Sequence, residues 1–310
     1  MWKKIGLVIH PRKIDCWCAT HASTPCAIKI SDELIRVYYS VRDFQGRSRI
    51  TFAEVSYPSF NLIYLHDRPI IDLGSPGTFD DCGQMPSSAL VVGSEIFLYF
   101  VGWSVKKTVP FDNHAGLAVL QADNSFAKFP SPILPKTQTE PLFNGTIEVI
   151  AESGFFRGYY MCGLAWKDID GRIEPFYDLR YAESRNGIDW ERFGLVAIGL
   201  DGEEAGICKA SVIKSKKYCM WYNYRGSESY REGKKNSYRV GYAESQNGAS
   251  WKRKDHFLGL DISPEGWDSQ MTAHPSVVDM GDNLVLFYSG NNFGATGIGV
   301  ATIRKDELEL

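Results

Sequence analysis

Apolar residues in this chain fall into short runs of about five, broken by glycine, proline or clusters of polar residues. Ile35 to Ser40 (IRVYYS), Ile96 to Phe100 (IFLYF), Tyr218 to Tyr222 (YCMWY) and Leu284 to Tyr288 (LVLFY) are rich in the β-branched and aromatic side chains that suit a pleated, half-buried surface, so they predict strands. No stretch keeps a 3.6-residue apolar period over ten or more positions, and Gly or Pro interrupts nearly every attempt. The pattern therefore predicts little helix.

The pattern also repeats. Tyr181 to Arg192 (YAESRNGIDWER) returns as Tyr242 to Arg253 (YAESQNGASWKR) at an offset of 61 residues. Each copy reads as a strand, an Asn-Gly turn and a return strand whose indole can pack between neighbouring sheets. Weaker echoes are Arg49 to Glu54 (RITFAE), Gly116 to Leu120 (GLAVL) and Gly297 to Thr302 (GIGVAT).

Ahead of the strand that opens most units stands an acid: Asp80 and Asp81 in GTFDDCGQMPSS, Glu140 in TEPLFNGTIEVI, Glu203 and Glu204 in EEAGICKASVI, and Asp268 in WDSQMTAHPSVV. Five units of four strands follow, at about residues 19–68, 76–134, 138–200, 202–260 and 266–303, with 5–9 as the missing outer strand of the last. The predicted fold class is all-β, a single five-bladed β-propeller spanning 1–310. A two-sheet sandwich does not account for the same motifs arriving in the same order.

Composition narrows the function without choosing it. With 44% hydrophobic and 23% charged residues the chain can bury a large core. A net charge of -3 supplies no basic field for nucleic acid, so a small molecule or oligosaccharide is the expected partner. Seven scattered cysteines without a CxxC pair predict reduced thiols in a cytoplasmic protein, with no cofactor and no metal. Cys16, Cys18 and His21 are the nearest approach to a ligand cluster, and closely spaced cysteines also pack as small hydrophobes. No run approaches the ~20 apolar residues of a membrane helix.

The order of an acid-bearing first strand, a Tyr-rich second strand and a Tyr-Ala-Glu-Ser-x-Asn-Gly-x-x-Trp third strand resembles the five-bladed glycosidase group, namely glycoside hydrolase families 43, 32 and 68 and the mannoside phosphorylases of family 130. The resemblance spans essentially the whole chain. It implies carboxylates at a central pocket acting as base or nucleophile, as acid, and as substrate orienter. On that basis Asp80, Glu140, Asp268 and Glu204 are the expected catalytic set, with Glu140 as acid and Asp80 as base. The first unit departs from the pattern, because His21 to Pro25 (HASTP) carries no acid.

Expected substrate contacts are Asp81, Arg42, Asp43, Trp103, Trp166, Lys209, Arg225, Trp267, His274 and Asn291. The tryptophans offer stacking faces, and the cations offer a place for a carboxylate, a phosphate or a sugar phosphate. Three functions remain open on sequence: hydrolysis of a small or terminal glycoside, phosphorolysis or glycosyl transfer, and sugar binding without catalysis.

Overall fold

A computed structural model describes residues 1–232 and 235–308. Twenty strands carry the fold, and among the described residues helix is confined to Asp255–Leu258, Asn291–Gly294 and the 3-10 turn Lys305–Leu308. The strands form five antiparallel groups of four. The first is β2 (Thr20–Ser31), β3 (Leu34–Arg42), β4 (Ser48–Ser56) and β5 (Leu62–Leu65). The second is β6 (Gly83–Val92), β7 (Glu95–Ser104), β8 (Asp112–Leu120) and β9 (Phe126–Lys128).

The third is β10 (Asn144–Glu152), β11 (Phe155–Ile169), β12 (Arg172–Ser184) and β13 (Trp190–Ile198). The fourth is β14 (Glu204–Lys214), β15 (Tyr218–Gly226), β16 (Arg239–Ser245) and β17 (Lys252–Arg253). The fifth is β18 (Ala273–Asp279), β19 (Asn283–Ser289) and β20 (Ile298–Arg304), with β1 (Lys3–Ile9) hydrogen-bonded antiparallel to β20. Single parallel pairings join the first group to the second (Ser48 with Gly83) and the third to the fourth (Tyr177 with Gly206).

Apolar faces are buried between groups rather than inside one shared core. Tyr38, Ile50, Leu98 and Phe100 fill the space between the first and second groups, and Tyr99, Leu117, Ile147 and Tyr160 that between the second and third. Tyr159, Leu179, Val212 and Met220 join the third to the fourth, and Trp221, Tyr242, Leu286 and Tyr288 the fourth to the fifth. Ile35, Val37, Phe287 and Val300 then join the fifth to the first. The first strands follow the same cyclic order, β2 against β6, β6 against β10, β10 against β14, β14 against β18, and β18 against β2.

The two long sequence repeats fold alike. In each, a serine hydroxyl and an asparagine side-chain oxygen collect the turn's backbone N–H groups: Gly187 to Ser184 at 2.8 Å with Ile188 and Asp189 to Asn186 at 2.9 Å, and Gly248 to Ser245 at 2.9 Å with Ala249 and Ser250 to Asn247 at 2.9 Å. A tyrosine of the preceding group completes each turn, Tyr99 donating to the Gly187 carbonyl at 2.9 Å and Tyr159 to that of Gly248 at 2.7 Å. Trp190 and Trp251 meet those same tyrosines edge to face, as the repeat predicts.

Candidate functional site

All five first strands carry a bulge at the same place. Register shifts fall between Ser23 and Cys26, Pro86 and Ser88, Asn144 and Ile147, Cys208 and Ser211, and Ala273 and Ser276. The residue two positions later binds the next strand: Val149 N–H donates to Ser88 Oγ at 3.1 Å, Val212 to Glu148 Oε1 at 3.0 Å, Val277 to Ser211 Oγ at 2.9 Å, and Ala27 to Ser276 Oγ at 2.8 Å. Equivalent bulge residues are therefore Thr24, Pro86, Thr146, Lys209 and His274. Thr24, Lys209 and His274 take positive φ angles of 52°, 47° and 56°. Left-handed backbone costs such residues about 1–2 kcal/mol each, and strain of this kind gathers at functional sites. Asn223 fixes the strained turn at His274 by accepting its N–H, while its own amide donates to the Thr272 carbonyl at 3.2 Å.

The bulges border a cavity of about 460 Å³ that takes its lining from all five groups. Aromatic walls come from Trp103, Phe111, Tyr177, Tyr230, Tyr238 and Phe293, and positive charge from Arg42 and Arg231. Thr24, Thr146, Cys208 and His274 complete the polar lining. Among the described residues the cavity lining includes no carboxylate and Arg42 has none near it, and burial alone pulls the pKa of Arg42 down. Arg231 pairs with Glu174, whose other oxygen is buried and unpartnered. A second depression, of about 550 Å³, lies outside this ring at the Ser184–Asp189 turn, where the polar groups already bond one another.

Electrostatics around the cavity favour negative ligands. His274 is held neutral, its pKa pushed down to about 3 by burial and then by the charges of Lys209 and Arg42. Burial and Arg42 likewise lower His21 to about 4. Lys209 is buried, its ammonium donating to the Pro275 carbonyl at 3.2 Å. Glu148, two residues beyond Thr146, is the carboxyl that Lys209 faces, and burial outweighs that attraction to raise its pKa to about 7.

The four expected acids lie elsewhere. Asp80 accepts from Lys128 and, at 2.9 Å, from Gln84 and Thr78. Glu140 accepts from Tyr160 at 2.6 Å and Arg192 at 2.7 Å. Glu204 takes both forks of Arg253 at 2.8 and 2.6 Å, and Asp268 accepts from Lys4 at 2.7 Å and Tyr288 at 2.9 Å. Lys128, Arg192, Arg253 and Lys4 belong to the outer strands β9, β13, β17 and β1, so each acid fastens the segment leading into its group to that group's far edge. Four separate ion pairs stand where one convergent cluster was expected, because each carboxylate has a cation of its own group within reach.

Of the expected contacts, Arg42, Trp103 and His274 line the cavity, and Lys209 stands behind His274. Trp166 packs against Phe111 and Phe143 at the rim, with ring centroids 5.1 and 5.2 Å away. Trp267 lies on Tyr288 and against Gly299, filling its own sheet rather than the cavity. Asp43 is consumed by Arg47, Arg49 and its own turn, Asp81 accepts from Gly77 N–H, and Asn291 braces Gln270 and Met271. Cys18 donates to the Arg12 carbonyl, apart from any metal geometry. Sequence reasoning missed Tyr177, Tyr238, Tyr230, Arg231 and Glu148. Only Glu148 left a signal, a charge inside the apolar alternation of TIEVI.

Comparison with known proteins places this architecture. Two proteins of Mycobacterium tuberculosis, "Uncharacterized protein Rv1502" and "Uncharacterized protein MT1551", are each 31% identical to it over 308 residues, covering 98% of this chain and 99% of theirs. The chain belongs to their family. No family model matches it. Its fold is shared with propeller-type glycosidases. One solved neighbour comes from the GH130 family of mannoside phosphorylases, which contains glycoside hydrolases that target β-1,2 mannosidic linkages in Candida mannan (14% identity, 99% of this chain and 94% of that one, TM-score 0.73). A glycosyl hydrolase from Bacteroides ovatus matches at 15% identity, 99% and 94% coverage and TM-score 0.73. Sucrose-6-phosphate hydrolase from Lactobacillus gasseri matches at 12% identity, 95% of this chain but 59% of that one, with TM-score 0.66.

Proposed function

We infer that the protein is a carbohydrate-active enzyme of the glycosidase or phosphorylase type, working in the central cavity of a five-bladed propeller that β1 closes through the last blade. One observation carries this reading: a cavity bordered by the bulges of the first strands, three of them strained, walled by aromatic rings and lined by cations, on the fold of the propeller-type glycosidases. Aromatic faces suit the apolar face of a sugar, and Arg42 and Arg231, with the charge of Lys209 behind His274, suit an anionic group on that sugar or an attacking phosphate. Two carboxylates flanking a glycosidic bond are the usual requirement for hydrolysis by water alone. A cationic cavity therefore favours phosphorolysis, transfer, or hydrolysis of a phosphorylated or otherwise acidic sugar. The four paired acids serve in this reading as clamps.

A second reading has its own observation in the absence of any carboxylate from the cavity lining. It takes the protein as a non-catalytic receptor for an anionic carbohydrate. A panel of nitrophenyl glycosides and sugar phosphates, assayed with and without inorganic phosphate beside a thermal-shift screen of the same compounds, separates the two. Turnover supports the enzyme; thermal stabilisation without turnover supports the receptor. If no sugar in either assay gave a response, both readings would fall.

A further inference from the structure

Catalysis in a cavity without lining carboxylates needs another source for the proton that a departing sugar oxygen takes up. The other lining groups are poor sources. Arg42 and Arg231 hold their protons throughout the accessible pH range, and His274 is neutral. The Cys208 thiol and the phenols all keep their protons at neutral pH, and among these it is two phenols that are joined to each other with a cation behind them. Tyr177 and Tyr238, on facing walls of the cavity, share a hydroxyl-to-hydroxyl hydrogen bond. Behind them Arg225 is fully buried and has no carboxylate partner among the described residues. Its Nε donates to Tyr177 Oη at 2.9 Å, and its other nitrogens are spent on the backbone carbonyls of Gly226 and Pro175 at 2.8 and 2.6 Å. The guanidinium also lies over the rings of Tyr230 and Tyr177, 3.9 and 4.9 Å from their centroids.

Either hydroxyl can donate in that bond. Tyr177 Oη accepts from Arg225 and keeps its own proton to give, and the arrangement that serves a ligand is the one in which Tyr177 donates to Tyr238 and leaves the Tyr238 proton for a sugar oxygen in the cavity. Tyr238 also stands beside His274, with ring centroids 6.2 Å apart, which places its hydroxyl among the strained bulges.

The geometry points to Tyr238 as the proton donor of this cavity, relayed through Tyr177 and backed by the positive charge of Arg225. The proposal rests on the glycoside reading above. In the step, written for hydrolysis of a phosphorylated or otherwise acidic glycoside, water adds to the anomeric carbon as the glycosidic C–O bond breaks with its electron pair on the leaving oxygen. That oxygen takes the Tyr238 proton, the Tyr177 proton moves to Tyr238, and the negative charge left on Tyr177 faces Arg225. The proton shed by the attacking water returns to Tyr177 through solvent, and all atoms balance. Burial raises the pKa of both phenols, so they stay protonated at neutral pH; a sugar alkoxide is a stronger base than a phenolate, so the transfer still runs toward it. Arg225 touches no ligand in this scheme and is a positioning residue.

The test compares two glycosides of one sugar: a methyl glycoside, whose leaving oxygen must be protonated, and a 2,4-dinitrophenyl glycoside, whose leaving group departs as a stable anion. Tyr238→Phe should lower kcat on the methyl glycoside by roughly 10²-fold or more, the usual worth of a general acid, and leave the dinitrophenyl rate within about five-fold. Tyr177→Phe should fall between wild type and Tyr238→Phe, and Arg225→Lys should keep more of the methyl-glycoside rate than Arg225→Met. Equal losses on both substrates for Tyr238→Phe, or no loss on either, overturn the donor role while leaving the glycoside reading standing. Wild-type protein that turns over no glycoside overturns both. Independently of turnover, ¹³Cζ-tyrosine NMR should show the Tyr238 resonance moving in Tyr177→Phe. An unmoved resonance means that the relay does not exist, and the proposal falls with it.

Discussion

The acid clamps and the bulge residues both recur around this molecule, the clamps in four of its groups and the bulges in all five, and they behave in opposite ways. At the clamps the same chemistry returns: Asp80 with Lys128, Glu140 with Arg192, Glu204 with Arg253, Asp268 with Lys4, every charge answered within its own group. At the bulges one backbone distortion returns with different side chains, Thr24, Pro86, Thr146, Lys209 and His274, and the cavity beside them holds Arg42, a cation that no carboxylate among the described residues answers. In an array of repeats, sameness marks what each unit needs to fold. Difference at a shared position marks what only the assembled ring needs.

That contrast can be broken most forcefully at the pairing of β1 with β20. Removing residues 1–10 deletes β1 and the cation that answers Asp268, exposing the β20 edge. A fall in melting temperature of more than ~10 °C is expected, since several kcal/mol are at stake and each shifts a domain of this size by a few degrees. Calorimetry that finds the truncated chain within a degree or two of the full one would remove β1 from the closure. Next in size, Glu140→Gln leaves Arg192 and Arg180 facing a neutral amide in a buried site and should cost about 3–5 kcal/mol in denaturant unfolding. If Glu140→Gln instead kept its full stability and lost only turnover, the clamp assignment would give way to the catalytic role that the sequence first suggested.

Glu148 sharpens the comparison because it is an acid on the bulge side. Its folded pKa of about 7 exceeds the ordinary carboxyl value, so the folded state binds the extra proton between roughly pH 4.5 and 7. Its contribution to stability therefore falls as pH rises through that window. Glu148→Gln should raise stability at pH 8 relative to pH 5 by about 1–3 kcal/mol against wild type. His21 and His274 work with the opposite sign. Held neutral, they bind fewer protons than the unfolded chain below about pH 6.5, so they favour folding as pH climbs from about 4 toward that value. A Glu148→Gln stability profile parallel to wild type across pH 5–8 would show that the carboxyl is not buried as described. The smallest stability effect belongs to Arg42→Gln, within about 0.5 kcal/mol, because the guanidinium has no partner to lose. Its cost should appear in ligand affinity instead, and a large stability loss without an affinity change would assign Arg42 to the scaffold.

The strands were legible because β-branched and aromatic runs of about five residues can pack in few other ways, and the Asn-Gly-x-x-Trp copies carried their turn chemistry openly. The site was legible only in part. Lys209 and His274 could be picked out because a cation or imidazole within an apolar first strand is conspicuous. Tyr177 and Tyr238 could not, since tyrosines fill this chain's interfaces and nothing local separates a cavity phenol from Tyr99 or Tyr159, which brace turns. The acids misled for a related reason. A motif repeated at equivalent positions was expected to converge on the axis, but residues such as Asp80 and Asp268 stand just before their strands, where the nearest opposite charge is on the outer edge of the same group.

The pairing of β1 with β20 also sets a timetable. A ribosome adding about 5–20 residues per second takes on the order of 15–60 s to travel from Ile9 to Ile298, and for that interval β1 has no β20 to pair with. A bare strand waiting so long would be an invitation to neighbouring nascent chains. The segment Lys3-Lys4-Ile5-Gly6 meets that hazard with two like charges and a glycine that weakens a strand's own preference for pairing, features that make it a poor template for a stray edge.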